Sequence, residues 1–419
     1  MKFIDLFAGL GGFHVALSEL GHECVFACEI ENFLRDHYEK NFKIYPEGDI
    51  TKLNINNIPK HEILCAGFPC QPFSKAGNGK GFNHKIAGKM FFYITKIIKK
   101  HKPKFLFLEN VPNLINHNNG KTWKFIKHKL KKLNYDVDYK IISPVDFDIP
   151  QSRDRVYIVG KKDKLNGFKW PMKLKKTKDL KKFLISKPTK IRKTTPLRKN
   201  ILDTWKYFLK KIPRKCYLPN PLWAMEFGAT YPFEKTTPHA VGVSKLRKCN
   251  GKFGINLKKL TKDQIFSNIP SYARLKVKKF PRWKVRMIMN SREFYKNNKT
   301  FINGVLKKII NLKHESYQKL EWNCRGEEYN FRKKIISFRG SGVRIKRNGQ
   351  VPTLIASCIT QTPYLPWKKR YISFEECLKI QGFTKLKSYP NTHEKFQFTI
   401  GNAVNVKVVS KIASNLFKR

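Results

Sequence analysis

Across residues 1–160 the chain repeats one pattern: a short unbroken apolar run, a polar or glycine-rich turn, then a stretch with helical spacing. Phe3-Ile4-Asp5-Leu6-Phe7 reads as a strand, followed by glycines and a helical pattern through Phe13, Ala16, Leu17 and Leu20. Cys24–Cys28 is a second buried strand, with a helix near Asn32–Glu39 after it. Ile63–Ala66, Phe105–Leu108, Tyr139–Ile142 and Val156–Val159 are further strands, and Met90–Lys100 is a helix between two of them. Strands that are apolar throughout, instead of alternating, have both faces covered. Interleaved with helices, they predict an α/β domain built on a doubly wound, Rossmann-like parallel sheet.

The texture changes at Lys161–Lys193, a lysine-dense stretch broken by Trp170-Pro171. Residues 195–355 are irregular, rich in aromatics, prolines and short strand-like pieces, and regular periodicity returns after Arg370. Three segments follow: 1–165, an irregular mixed second domain at 166–369, and a returning segment at 370–419. Lysine plus arginine is 86 against 30 acids, a formal charge of +56. A field of that size favours polyanionic partners, nucleic acid before acidic membranes. Only 18 of the cations are arginine, and the lysine excess equally fits the composition of an AT-rich coding sequence. The arginines are distributed unevenly: 13 fall between Arg192 and Arg347, and none between Arg35 and Arg153.

No apolar run approaches the 18 or more residues of a membrane span, and the N-terminus lacks a secretory h-region. The nine cysteines are scattered without a CxxC pair, so neither a disulfide framework nor a metal site is expected, and a reducing cytoplasm fits.

Four blocks carry chemistry. Asp5-Leu6-Phe7-Ala8-Gly9-Leu10-Gly11-Gly12 is a strand, a glycine turn and a helix start, where the backbone can approach a ligand. The third glycine of a dinucleotide fingerprint is replaced by His14, which disfavours a nicotinamide oxidoreductase. Glu29, ending the second strand, suits ribose hydroxyls, and Asp49-Ile50 follows at the next edge. Gly67-Phe68-Pro69-Cys70-Gln71-Pro72 is a proline-stiffened loop after a strand; Cys70 is either a nucleophile or a small core residue. Glu109-Asn110-Val111-Pro112 offers a strand-end carboxyl as a general acid or else a simple turn. Gln151-Ser152-Arg153-Asp154-Arg155 precedes a strand, and two arginines two apart on extended chain face one side.

The order and spacing of these blocks resemble the DNA (cytosine-5) methyltransferases of the bacterial modification type. DLFAGLGGF, GDI, GFPCQPFS, ENV and QSRDR match, followed by RYISFEECLKIQGF and Gly401-Asn402-Ala403-Val404. The matching blocks cover about half the chain, and the middle falls where that family carries its variable target-recognition region. The resemblance implies S-adenosyl-L-methionine against Phe7, Leu10, Gly11 and Gly12, with Glu29 at the ribose and Asp49 and Ile50 at the adenine. Pro69, Met90, Asn402 and Ala403 match further cofactor positions. It implies that Cys70 attacks C6 of a cytosine flipped from duplex DNA while Glu109 holds N3 and the exocyclic amine. Arg153 and Arg155 would support the flipped nucleotide and its phosphate, and Gln151 would buttress the loop. Arg274, Arg282, Arg286, Arg339, Arg344 and Arg347 are candidates for DNA contact. Leu222–Ala229 is either part of that surface or core.

One block departs from the family pattern. Gly81-Phe82-Asn83-His84-Lys85-Ile86-Ala87-Gly88-Lys89-Met90 lacks the usual acid and arginine and is one residue longer. Three readings therefore stand: a DNA methyltransferase, a tRNA cytosine-5 methyltransferase of the same superfamily, and a catalytically impaired DNA-binding relative. The first implies a monomeric, cytoplasmic, nucleoid-associated bacterial enzyme acting on double-stranded DNA. Its partner would be a restriction endonuclease that reads the same site without forming a stable complex.

Overall fold

A computed structural model describes residues 1–69, 90–174, 179–213, 216–356 and 359–418. The chain divides into two compact units. One comprises Met1–Lys190, Gly349–Ile359 and Ser373–Arg419; the other comprises Ile191–Asn348 and Thr360–Ile372.

In the first unit, β1 (Lys2–Leu6), β2 (Glu23–Cys28), β3 (Ile63–Gly67) and β4 (Phe105–Asn110) run parallel in the order β2-β1-β3-β4. Side chains alternate across the sheet. Ile4, Leu6, Leu64, Ala66, Leu106 and Leu108 share one core with Ile94, Ile97 and Ile98 of the helix Met90–His101 and with Ile126 and Leu130 of the helix Lys121–Lys131. On the alternate positions, Phe107 meets Phe13 of the helix Gly12–Ser18 edge-on at 5.2 Å. With both faces covered, every residue of β4 is buried. Burying each such Leu or Ile contributes about 1.5–3 kcal/mol.

The sheet is not parallel throughout. β5 (Tyr135–Ile142) is reached from β4 through the helix Lys121–Lys131, as a parallel crossover requires. The return from β5 holds only a single turn (Pro144–Phe147) and the two-residue β6 (Gln151–Ser152). Without a crossover helix the next strand, β7 (Arg155–Lys162), runs antiparallel to both β4 and β5 and sits between them. The expectation of an all-parallel sheet is corrected at this one strand.

The C-terminal helices belong to the same unit. Phe374–Gln381 starts from a reciprocal cap between Ser373 and Glu376, and Val406–Leu416 packs on Gly12–Ser18.

The second unit is mixed, as expected. It contains β8 (Leu222–Trp223), β9 (Lys319–Asn323), β10 (Lys334–Arg339) and β11 (Gly342–Arg347). The pair β12 (Val351–Pro352) and β6 lies in the first unit, while β13 (Tyr364–Leu365) and β14 (Arg370–Tyr371) complete the second sheet, β14-β13-β10-β11-β9-β8. Helices Pro196–Lys211, Arg282–Asn297 and Lys299–Ile310 supply Trp205, Phe208, Phe294 and Ile302 to its main core. Leu222, Trp223, Ala224, Met225 and Phe227 are all buried, so that segment is core. Among the described residues no helix is long and apolar enough to cross a membrane, and no group of three or more His, Cys, Asp or Glu is placed to hold a metal ion.

Candidate active site

The carboxyl ends of β1 to β4 form one edge, where open α/β sheets bind ligands. β1 leaves the sheet through a contorted turn. Phe7 takes φ +57°, Gly9 +56° and Gly11 +82°, while Gly11 N–H donates to Ala8 O at 2.8 Å. Only Gly among these residues adopts such φ without strain. Gly12 answers a different need: a Cβ there would lie 2.5 Å from Val404 Cγ2 and 3.1 Å from Val404 O. The turn is therefore closed tightly against the Gly401–Val404 block from the far end of the chain.

Glu29 faces this turn from the end of β2. Gly9 N–H donates to its Oε2 at 2.8 Å and Glu31 N–H to its Oε1 at 3.0 Å. Burial raises the Glu29 pKa, and these two N–H groups oppose the shift. Beside it Ile30 is 65% exposed, an apolar side chain left bare at a functional edge. Sequence reasoning passes over it; an apolar residue directly after a strand-end acid is the available signal. Beneath the turn, His14 Nδ1 and the Tyr38 hydroxyl lie 2.8 Å apart, and burial lowers the His14 pKa to about 4, so the ring is neutral.

The remaining cofactor-side residues take varied positions. Asp49 uses one oxygen to cap its own turn, accepting from Thr51 N–H at 2.9 Å, and Ile50 is buried beside it. Leu10 is buried, and Pro69 is half-buried at the end of the described loop. Met90 is buried at the start of its helix, while Asn402 is exposed at the end of another and Ala403 is buried. Cys70 and the divergent Gly81–Lys89 stretch lie outside the described residues.

At the end of β4, Glu109 is buried next to Gly67, where a Cβ would sit 3.6 Å from Glu109 Oε2. Arg155 Nε lies 2.9 Å from Glu109 Oε1. Burial raises the Glu109 pKa; the Arg155 and Arg153 charges pull it back without cancelling the shift. Asn110 Nδ2 donates to Phe68 O at 3.1 Å, tying the strand end to the chain entering the Cys70 loop.

The two arginines do not share one task. Arg153 is 1% exposed, and its Nη2 donates to Gly401 O at 2.8 Å and to Ala403 O at 2.9 Å. It joins the QSRDR block to the GNAV block from within, while Arg155 lies against Glu109. Gln151 is fully buried and paired through its backbone with Val351, and its side-chain amide makes no hydrogen bond among the described residues.

The six arginines of the second unit also separate. Arg274 pairs with Glu315 at 3.4 Å and donates to Ile269 O and Ser267 O. Arg344 pairs with Glu321, and Arg347 with Glu327. Arg339 is half-buried. Arg282 and Arg286 are exposed, with no hydrogen bond or ion pair among the described residues.

This sheet, its glycine turn and the acid-arginine pair at its edge define a Rossmann-like methyltransferase domain. The profile of the C-5 cytosine-specific DNA methylase family matches residues 1–217 and 239–418, and the chain belongs to that family. Type II methyltransferase M.DsaV of Dactylococcopsis salina is 49% identical over 166 residues, 40% of this chain and 47% of that protein. Type II methyltransferase M.HhaI of Haemophilus parahaemolyticus is 46% identical over 173 residues, 41% and 53% of the two chains. The chain spans about half the length of the curated relatives it matches. Two solved structures share the fold. The Entamoeba histolytica methyltransferase EhMeth aligns over 100% of this chain and 98% of its own, with TM-score 0.51 and 16% identity. A proposed DNA modification methyltransferase encoded within an Escherichia coli prophage aligns over the same shares, with TM-score 0.53 and 17% identity.

Proposed function

We propose that the chain is a DNA (cytosine-5)-methyltransferase that methylates C5 of a cytosine flipped out of a specific duplex sequence. The observation that carries this reading is the buried Glu109 carboxyl at the sheet edge, its pKa raised by burial and one oxygen braced by Arg155. A carboxyl in that state can hydrogen-bond N3 and the exocyclic amine of a cytosine and stabilise charge that develops on the ring.

The edge also fits S-adenosyl-L-methionine. Glu29, fixed by two backbone N–H groups, presents a carboxylate suited to ribose hydroxyls, and the Phe7–Gly12 turn leaves backbone open at Gly9, where a Cβ would meet nothing within 4 Å. Leu10, Gly11, Gly12, Asp49, Ile50, Pro69, Met90, Asn402 and Ala403 would complete that site, with Ile30 against the adenine. When bound, the cofactor supplies an electrophilic methyl group on a positively charged sulfur.

Cys70, as thiolate, adds to cytosine C6 and forms an S–C6 bond. The electron pair of the C5–C6 double bond becomes nucleophilic at C5, and Glu109 steadies the charge spread to N3. Once C5 carries the methyl group, loss of its proton and rupture of the S–C6 bond restore the ring and release Cys70. Arg155 holds Glu109 in place, Arg153 holds the Gly401–Ala403 turn, and Gln151 buttresses the loop. The second unit reads the target. The enzyme acts in the bacterial cytoplasm as a monomer, beside a restriction endonuclease of the same specificity.

Duplex DNA carrying 5-fluorocytosine cannot lose a C5 proton, so it tests the covalent step directly. A denaturation-resistant adduct with wild type and none with Cys70→Ala is expected. Equal adduct with the variant would refute the assignment, and labelling of tRNA in preference to DNA would move the substrate to RNA.

A further inference from the structure

We propose that the outward stripe of the helix Arg282–Asn297 is a contact surface for duplex DNA, with Arg282 and Arg286 on phosphates and Trp283 against the groove. This rests on the DNA-directed reading above and names the element that carries it.

Charge comes first. From Arg274 to Arg292 the chain holds eight cations and no acid. Several of these cations have internal work: Arg274 binds Glu315, Lys284 Nζ donates to Tyr272 O at 2.8 Å, and Arg292 binds Glu226 at 2.8 Å. Arg282 and Arg286 have none among the described residues. Four residues apart, they lie about 6 Å apart along one helix face, a spacing that long side chains span to neighbouring phosphates.

The second observation is apolar exposure within the same stretch. Trp283 is 57% exposed, Met289 44%, Leu275 47% and Val277 41%. An exposed indole beside guanidiniums that have no ion pair among the described residues is the composition of a binding surface. Nothing acidic accompanies it until Glu293, so the charge fits a polyanion and not an acid-bearing copy of the same face.

The third is rigidity. Ile288 and Phe280 anchor the helix and its approach in the unit's second core, together with Trp223, Tyr231 and Ile265. The buried Glu226 carboxylate accepts from Tyr272 Oη at 2.6 Å and from Arg292 Nε, pinning the segment on either side of Arg282 to one point. Ser291 Oγ accepts from Trp223 N–H at 3.0 Å. The stripe is held outward before any ligand arrives, which lowers the cost of binding.

The test measures duplex binding against salt, without cofactor. Each phosphate contact contributes about 0.9 to the slope of log K against log salt. Arg282→Ala/Arg286→Ala is expected to lower the magnitude of the slope by about 1.8. Lys replacements at both positions should restore it. Trp283→Ala should weaken binding about fivefold with the slope unchanged. Lys127→Ala/Lys131→Ala, on an exposed helix face of the first unit, is the control for the diffuse field. A slope unaltered in the arginine variant, or lowered equally in the control, overturns the proposal. Wild-type protein that binds duplex but transfers no methyl group overturns the enzymatic reading alone.

Discussion

Replacing Arg153 by methionine separates a strut from a substrate contact. The guanidinium donates to Gly401 O and Ala403 O, and the side chain is almost wholly buried. Methionine fills much of the same volume but leaves both carbonyls without that donor. Hydrogen bonds to a charged group contribute about 1.5–3 kcal/mol each. Two of them give about 3–6 kcal/mol, and relief of one buried charge trims the upper end to about 5. For a unit of this size that corresponds to a fall in Tm of about 6–20 °C. Calorimetry at low and high salt should show the fall in both, because a buried contact is little screened. A Tm within about 2 °C of wild type, with methyl transfer lost, would show that Arg153 serves the substrate and refute the strut.

Glu109→Gln should abolish methyl transfer while S-adenosylmethionine binding, followed by calorimetric titration, persists. Because the folded-state pKa of Glu109 is raised, its favourable contribution is complete below the ordinary glutamate value and is lost as pH rises through the elevated one. Wild type should therefore lose stability relative to the Gln variant across that window, and parallel stability curves would contradict the shift. Gly12→Ala places a Cβ 2.5 Å from Val404 Cγ2 and should cost about 1–3 kcal/mol in chemical unfolding, with weakened cofactor binding. Glu226→Gln removes the buried negative charge opposite Arg292 and should destabilise the second unit by about 3–5 kcal/mol, read as an earlier thermal transition.

The central strands β1, β3 and β4 were legible because they are almost wholly apolar and buried, and the glycine turn and Glu109 were legible because they end such strands. The helix Lys121–Lys131 was not read: its buried stripe of Thr122, Ile126 and Leu130 is submerged in lysines. Nor did composition separate the arginines of the second unit. The acids that occupy Arg274, Arg344 and Arg347 stand 41, 23 and 20 residues away, and only folding brings them near.

The sequence by itself determined which candidate residues gather at one edge, since strand-end positions on a parallel sheet share it whatever the loops do. It could not place residues that come before a strand. In a parallel sheet Arg155 would stand at the opposite edge from Glu109. β7 runs antiparallel because its connection is too short for a crossover helix, and that reversal sets Arg155 2.9 Å from the Glu109 carboxyl. The same tertiary closure buries Arg153 against carbonyls some 250 residues away, a contact that no spacing in the sequence announces.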